Sequence, residues 1–120
     1  MFDLYQEHIL DHARHPRHWG LLDPYDYCAS DTNPLCGDHL TLTLRVDSQG
    51  QITQVGWAGE GCAISQASAS LLGERLIGLS VDEARALPMD YVLDLLGIQL
   101  MPARLKCAVL SWRVLQASLA

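Results

Sequence analysis

From His39 to Val46 the chain alternates. Leu40, Leu42, Leu44 and Val46 are apolar, while His39, Thr41, Thr43 and Arg45 are polar. A period of two puts one set towards a core and the other towards water, which predicts a half-buried β-strand. The DSQG stretch (47–50) carries turn residues, and QITQVGWA (51–58) reads as a returning strand, so 39–58 is expected to form a hairpin. YDYCAS (25–30) reads as a further short strand.

Elsewhere the period is helical. Phe2, Tyr5, Ile9 and Ala13 recur at helical spacing over residues 2–13, and Pro16 and Gly20 end that pattern. Residues 62–78 are rich in Ala and Ser, whose small side chains let a helix lie close against a sheet. Ser80 and Glu83 have the spacing of a capping box, which opens a short helix. PMDYVLDLLG adds a turn or two of helix that Gly97 ends. Pro102 suits the first turn of a last helix running to about Ala117, with Leu105, Val109, Trp112 and Leu115 near one face. The expected class is α+β. An N-terminal helix, a small antiparallel three-stranded sheet and a helical C-terminal half packed on one face make a single domain over 1–120.

Composition narrows the function classes. Hydrophobic residues make up 49% and charged residues 18% of the chain, which fits a globular core. The net charge of −6 disfavours a nucleic-acid backbone as partner. No apolar run approaches the ~20 residues of a membrane span, and MFDLYQEHILDH lacks the basic start and apolar core of a secretory signal. A cytoplasmic location is therefore expected. In a reducing compartment Cys28, Cys36, Cys62 and Cys107 point to metal binding or thiol chemistry rather than to disulfides.

Three of those cysteines fall at or near the start of an expected element. Cys36 and Asp38 in NPLCGD share a parity with Leu40 and Leu42, which aims both at the edge of the helix-covered face. Cys62 lies where the returning strand gives way to a helix, whose first N–H groups attract a negatively charged sulfur. Gly59 and Gly61 leave it uncovered. Cys107 falls in the first turns of the last helix between Arg104 and Lys106, cations that oppose the helix dipole unless an anionic site lies beside them. Both are expected to support a thiolate or persulfide at Cys107. Three sulfurs and one oxygen suit zinc or iron in a tetrahedron. A carboxylate is the more readily exchanged ligand among thiolates, so Asp38 implies a site meant to open.

Other candidates receive plainer readings. Cys28 is expected to pack or to lie on a strand edge, and His8 and His12 to be surface histidines on one helix. His39 should point to the opposite side of the strand from Asp38. Trp57 and Trp112 read as core, and Glu60 as an exposed loop carboxylate.

NPLCGD, GEGCAISQASAS and LKCAVLSW together resemble the three cysteine motifs of the IscU/SufU/NifU-N family of iron–sulfur cluster assembly proteins. The opening LYQEHILDHARHPRHWG is similar to that family's first helix and its exit. The resemblance implies that Cys36, Asp38, Cys62 and Cys107 line one pocket holding zinc or a labile cluster, [2Fe-2S] foremost. It also implies that sulfur arrives as a persulfide from a cysteine desulfurase and that apoproteins receive the product. The match is mixed. Lys106 before the third cysteine is similar to SufU proteins, whereas the short spacing of 63–106 is similar to IscU proteins. LMPAR (100–104) keeps only Leu100, Pro102 and a basic residue of the LPPVK segment that binds a chaperone in IscU proteins, so no dedicated Hsp70 partner is implied. The persulfide acceptor that the resemblance implies is Cys36 on the SufU side and Cys107 on the IscU side.

These readings give a cluster scaffold or a zinc-dependent sulfur carrier rather than a conventional enzyme. A zinc-stabilised interaction module without sulfur transfer is the alternative. A cysteine-nucleophile hydrolase or transferase would need a base, and the three motifs offer no histidine besides His39.

Overall fold

A computed structural model describes residues 7–34 and 37–120. In chain order it contains α1 (Glu7–Arg14), β1 (Tyr27–Asn33), β2 (Asp38–Val46), β3 (Ile52–Glu60), α2 (Ala63–Leu76), α3 (Val81–Arg85), α4 (Met89–Leu96) and α5 (Pro102–Leu119). The three strands form one antiparallel sheet in the order β1-β2-β3, and the expected hairpin is β2–β3. The α+β expectation holds.

The alternation along β2 sets which face is covered. Leu40, Leu42 and Leu44 are all buried, and register aligns them with Asp31, Ala29 and Tyr27 of β1 and with Gly59, Trp57 and Val55 of β3. α5 packs over β1 and β2 while α2 packs on β3, so the helices cover that face. Leu72, Leu76, Leu110, Val114 and Leu115 complete the main core from the helical side. A second cluster of Ile9, Ile64, Ala67, Leu96 and Ala108 gathers α1, α2, α4 and α5, and Cys107 belongs to it.

The far edge of the sheet is closed by the chain leaving α1. Trp57 donates its backbone N–H to His18 O and accepts from Gly20 N–H, so this short segment pairs with β3 and blocks an open strand edge. Gly56 makes the crossing possible, because a Cβ there would collide with Gly20 O and stand 2.9 Å from the Leu22 side chain.

Helix ends follow their sequence signals. Ser80 and Glu83 form the complete capping box of α3, Gly97 ends α4 in a left-handed conformation (φ 68°), and Pro102 occupies the first turn of α5. Two expectations need correction. Leu105 is 38% exposed and does not join the α5 core face. The buried residues of that helix begin only at Cys107, and residues 102–106 are exposed. The small residues of α2 also serve helices more than the sheet: Ser68 Oγ donates to Ala108 O and meets Ser111 Oγ on α5, and Ser70 meets α1.

The histidines of α1 are also not simply surface groups. His12 is buried at 7% exposure, with Nδ1 2.7 Å from Ser70 Oγ, and that hydroxyl accepts the Arg17 N–H at 2.8 Å. His8 Nε2 lies 3.0 Å from Leu96 O. Tyr5 lies outside the described residues. Burial holds the His12 pKa below its ordinary value of 6.5, and Arg17 adds to the effect, against Glu74 and Asp11, which oppose it. The folded state therefore binds fewer protons at His12 than the unfolded chain does. This stability contribution is present above about pH 6.5 and is lost as pH falls towards the lowered folded value. Urea unfolding between pH 7.5 and 5.5 should show declining stability, and His12→Asn should flatten that slope.

Candidate metal centre

Each of three ligand candidates is delivered by a different element. Asp38 is the first residue of β2, paired in register with Asn33, the last residue of β1. Gly37 precedes it at φ 72°, and its N–H donates to Asn33 O at 2.9 Å, closing the turn between the strands. Positive φ is where glycine costs least. Cys62 is the N-cap residue of α2, with extended backbone (φ −73°, ψ 170°). Its N–H donates to Asp38 Oδ1 at 3.2 Å, so the carboxylate answers one of the amides left open at the helix start.

Gly61 allows that approach. A Cβ on it would collide with Ser65 Oγ and stand 2.7 Å from Asp38 Oδ1. A Cβ on Gly59 would collide with His39 O across the β2–β3 ladder. These glycines thus let strand and carboxylate close in, a tighter role than uncovering a thiol.

Cys107 sits in the second turn of α5 at 1% exposure. Ligand atoms of Asp38, Cys62 and Cys107 all lie within 4.8 Å of one another. In a tetrahedral zinc site with bonds of about 2.0–2.3 Å, ligand atoms stand about 3.3–3.8 Å apart. The observed trio is thus within about 1 Å of that spacing, which rotamer adjustment supplies. The trio borders a cavity of about 490 Å³ whose wall also includes Gly37, Glu60 and Arg104.

The buried carboxylate offers a test of fit. Asp38 is 2% exposed, and its Oδ2 has no hydrogen-bond partner among the described residues. A polar oxygen left unanswered in the interior is costly, and a cation beside two sulfurs removes that cost. Two thiols and a carboxylate oxygen are also a donor set that zinc and iron accept. The residues present fit a metal.

Of the remaining candidates, Cys36 lies outside the described residues, although its neighbour Gly37 borders the cavity. Arg104 borders the cavity too, whereas Lys106 is exposed on α5. His39 is on the opposite side of β2 from Asp38, as expected, with Nε2 3.5 Å from Glu60 Oε1. Glu60 is the last residue of β3 rather than a loop residue. Cys28 is exposed on the edge strand β1, Trp57 is fully buried, and Trp112 packs half-buried against the core with its Nε1–H on Leu87 O. Sequence reasoning missed Asn33. It is 1% exposed, and its Nδ2 lies 3.8 Å from Cys107 Sγ. The available signal was an amide side chain at the inward-facing end of a strand, directly opposite Asp38.

An α+β domain that sets two thiols and a carboxylate around one pocket has a group of side chains that could hold a metal ion. The chain belongs to the family described as the NifU-like N terminal domain, whose model matches residues 4–120. It is 35% identical to the zinc-dependent sulfurtransferase SufU of Bacillus subtilis over 135 residues, covering 98% of this chain and 90% of that protein. It is 36% identical to the iron–sulfur cluster assembly scaffold protein IscU of Thermotoga maritima over 132 residues, covering 97% and 92%. Among solved structures, one from Fervidobacterium islandicum AW-1, described as an iron–sulfur cluster assembly scaffold protein for the SUF system, superposes with a TM-score of 0.82. That match has 27% identity and covers 97% of this chain and 96% of the other. The N-terminal NifU-like protein of Brucella abortus gives a TM-score of 0.78 at 26% identity, covering 97% and 92%.

Proposed function

We propose that this chain, as one NifU-N/IscU-like domain over 1–120, serves iron–sulfur cluster assembly in the cytoplasm. It accepts persulfide sulfur from a cysteine desulfurase and acts as a cluster scaffold or zinc-dependent sulfur carrier, with recipient apoproteins downstream. The observation that carries this reading is the convergence of Asp38, Cys62 and Cys107 within 4.8 Å, with a buried carboxylate oxygen unanswered beside two sulfurs. Cys36 is the fourth ligand. The relatives from Bacillus subtilis and Thermotoga maritima support the carrier and the scaffold forms respectively.

Asp38, Cys62, Cys107 and Cys36 would hold zinc, which supplies a positive charge that keeps the thiols as thiolates. In sulfur uptake an acceptor thiolate attacks the outer sulfur of the desulfurase persulfide. The new S–S bond forms as the old one breaks, and the desulfurase cysteine leaves as a thiolate. The acceptor is Cys36 or Cys107. Cys107 is 1% exposed and meets the cavity from its inner wall. Arg104, on the cavity wall, offsets part of the negative charge, and Lys106 adds to the local positive field.

Mass spectrometry of each cysteine after incubation with a desulfurase and cysteine, with metal analysis of the purified protein, tests the reading. One added sulfur on Cys36 or Cys107 is expected. No added sulfur on any thiol, with zinc firmly held, would make the domain an interaction module instead. Anaerobic reconstitution with iron and sulfide then separates scaffold from carrier by whether a cluster chromophore forms.

A further inference from the structure

We propose that Asn33 is a positioning residue for Cys107, its side-chain amide donating a hydrogen bond that holds and tempers the sulfur facing the metal pocket. The inference rests on the metal-binding reading above and deepens it by assigning the sulfur a partner outside the ligand set.

Asn33 stands where an apolar residue would satisfy the core. It is 1% exposed at the end of β1, on the covered side of the sheet. A buried amide requires partners, and its Nδ2 lies 3.8 Å from Cys107 Sγ, within reach of an N–H···S contact to a large sulfur atom. Its backbone does a second task, because Asn33 O accepts the Gly37 N–H at 2.9 Å. One residue therefore ties the start of β2, where Asp38 lies, to the helix bearing Cys107.

The distance from β1 to α5 is fixed independently. Arg113 of α5 donates to Asp31 of β1, two residues before Asn33 and on the same side of the sheet. Around the contact, Ser68 Oγ on α2 donates to Ala108 O, anchoring the residue that follows Cys107. Of these three contacts, the Asn33 amide is the one that reaches the Cys107 sulfur.

Donation to an anionic sulfur is stronger than donation to a neutral thiol, so the amide favours the thiolate that a metal needs. It also draws electron density from the sulfur, which lowers the energy of its donor electrons. Partners of this kind typically alter metal affinity about 10–100-fold when removed.

The test uses the full chain and Co²⁺ as the probe, read by thiolate-to-cobalt charge-transfer absorption. Asn33→Leu fills a similar volume without a donor, and Asn33→Asp keeps the shape but replaces the donor with an oxygen. Both should bind Co²⁺ about 10–100-fold more weakly, with the charge-transfer band moved to longer wavelength. Ser68→Ala disturbs the α2–α5 packing without touching the sulfur and should leave the band in place. Circular dichroism checks folding. If Asn33→Leu does not fold, Asn33→Asp and Asn33→Ala carry the same comparison. A parent protein with a normal thiolate band and folded Asn33 variants with unmoved bands and affinity would overturn this inference alone. A parent protein that shows no thiolate band would instead overturn the metal-binding reading beneath it.

Discussion

Asp38→Ala should abolish retention of zinc while leaving a cooperatively folded protein. The substitution deletes the only oxygen ligand expected in the site and removes the acceptor of the Cys62 N–H. Loss of a direct ligand should exceed the ~10–100-fold penalty typical of an outer partner. The fold should persist because the main core, from Leu42 and Trp57 to Leu115, lies elsewhere, and because the substitution also removes a buried oxygen that has no hydrogen-bond partner among the described residues. Metal analysis after dialysis against a chelator, paired with thermal unfolding, reads both parts. Retained zinc would remove Asp38 from the ligand set. Unfolding of the apoprotein would favour a zinc-stabilised module.

Trp57→Ala should produce the largest loss of stability, about 3–5 kcal/mol by analogy with other aromatic truncations. Against a typical total of about 5–15 kcal/mol this approaches global unfolding. Trp57 is fully buried at the centre of β3, its Nε1–H donates to Arg17 O at 2.8 Å, and Trp19 rests edge-on against it at 4.9 Å between ring centroids. The substitution opens a cavity under α2 and loosens the crossing segment that seals the sheet edge. β3 leads directly into Gly61 and Cys62, so the metal site should weaken with the core. Urea unfolding monitored by far-ultraviolet circular dichroism gives the stability change, and a shift below 1 kcal/mol would show that the site's framework does not depend on this residue.

What could be read from the chain alone divides along physical lines. The β2 alternation was legible because one face is buried and the other wet, and a one-residue slip would invert every side chain. The Ser80–Glu83 box, Gly97 and Pro102 were legible because capping and turn chemistry is local. The convergence of Asp38, Cys62 and Cys107 was legible because their residue types are unusual together and because each lies at or near the start of an element.

The misread residues depend on partners far along the chain. His12 sits on a helix that reads as polar in isolation, yet Ser70, fifty-eight positions away, meets it in the interior. Asn33 meets Cys107 across a separation of 74 residues. Leu105 fits the helical period, but it is 38% exposed and the covered part of α5 starts at Cys107. Periodicity reports which residues share a face, and only the assembled fold decides how far that face is covered.

The most direct measurement of the central claim is zinc-edge X-ray absorption on the full chain loaded with one equivalent of metal. Three sulfur neighbours at about 2.3 Å and one lighter neighbour at about 2.0 Å are the predicted shell. A shell of oxygen and nitrogen alone would contradict the convergence of Cys36, Asp38, Cys62 and Cys107 on a single ion.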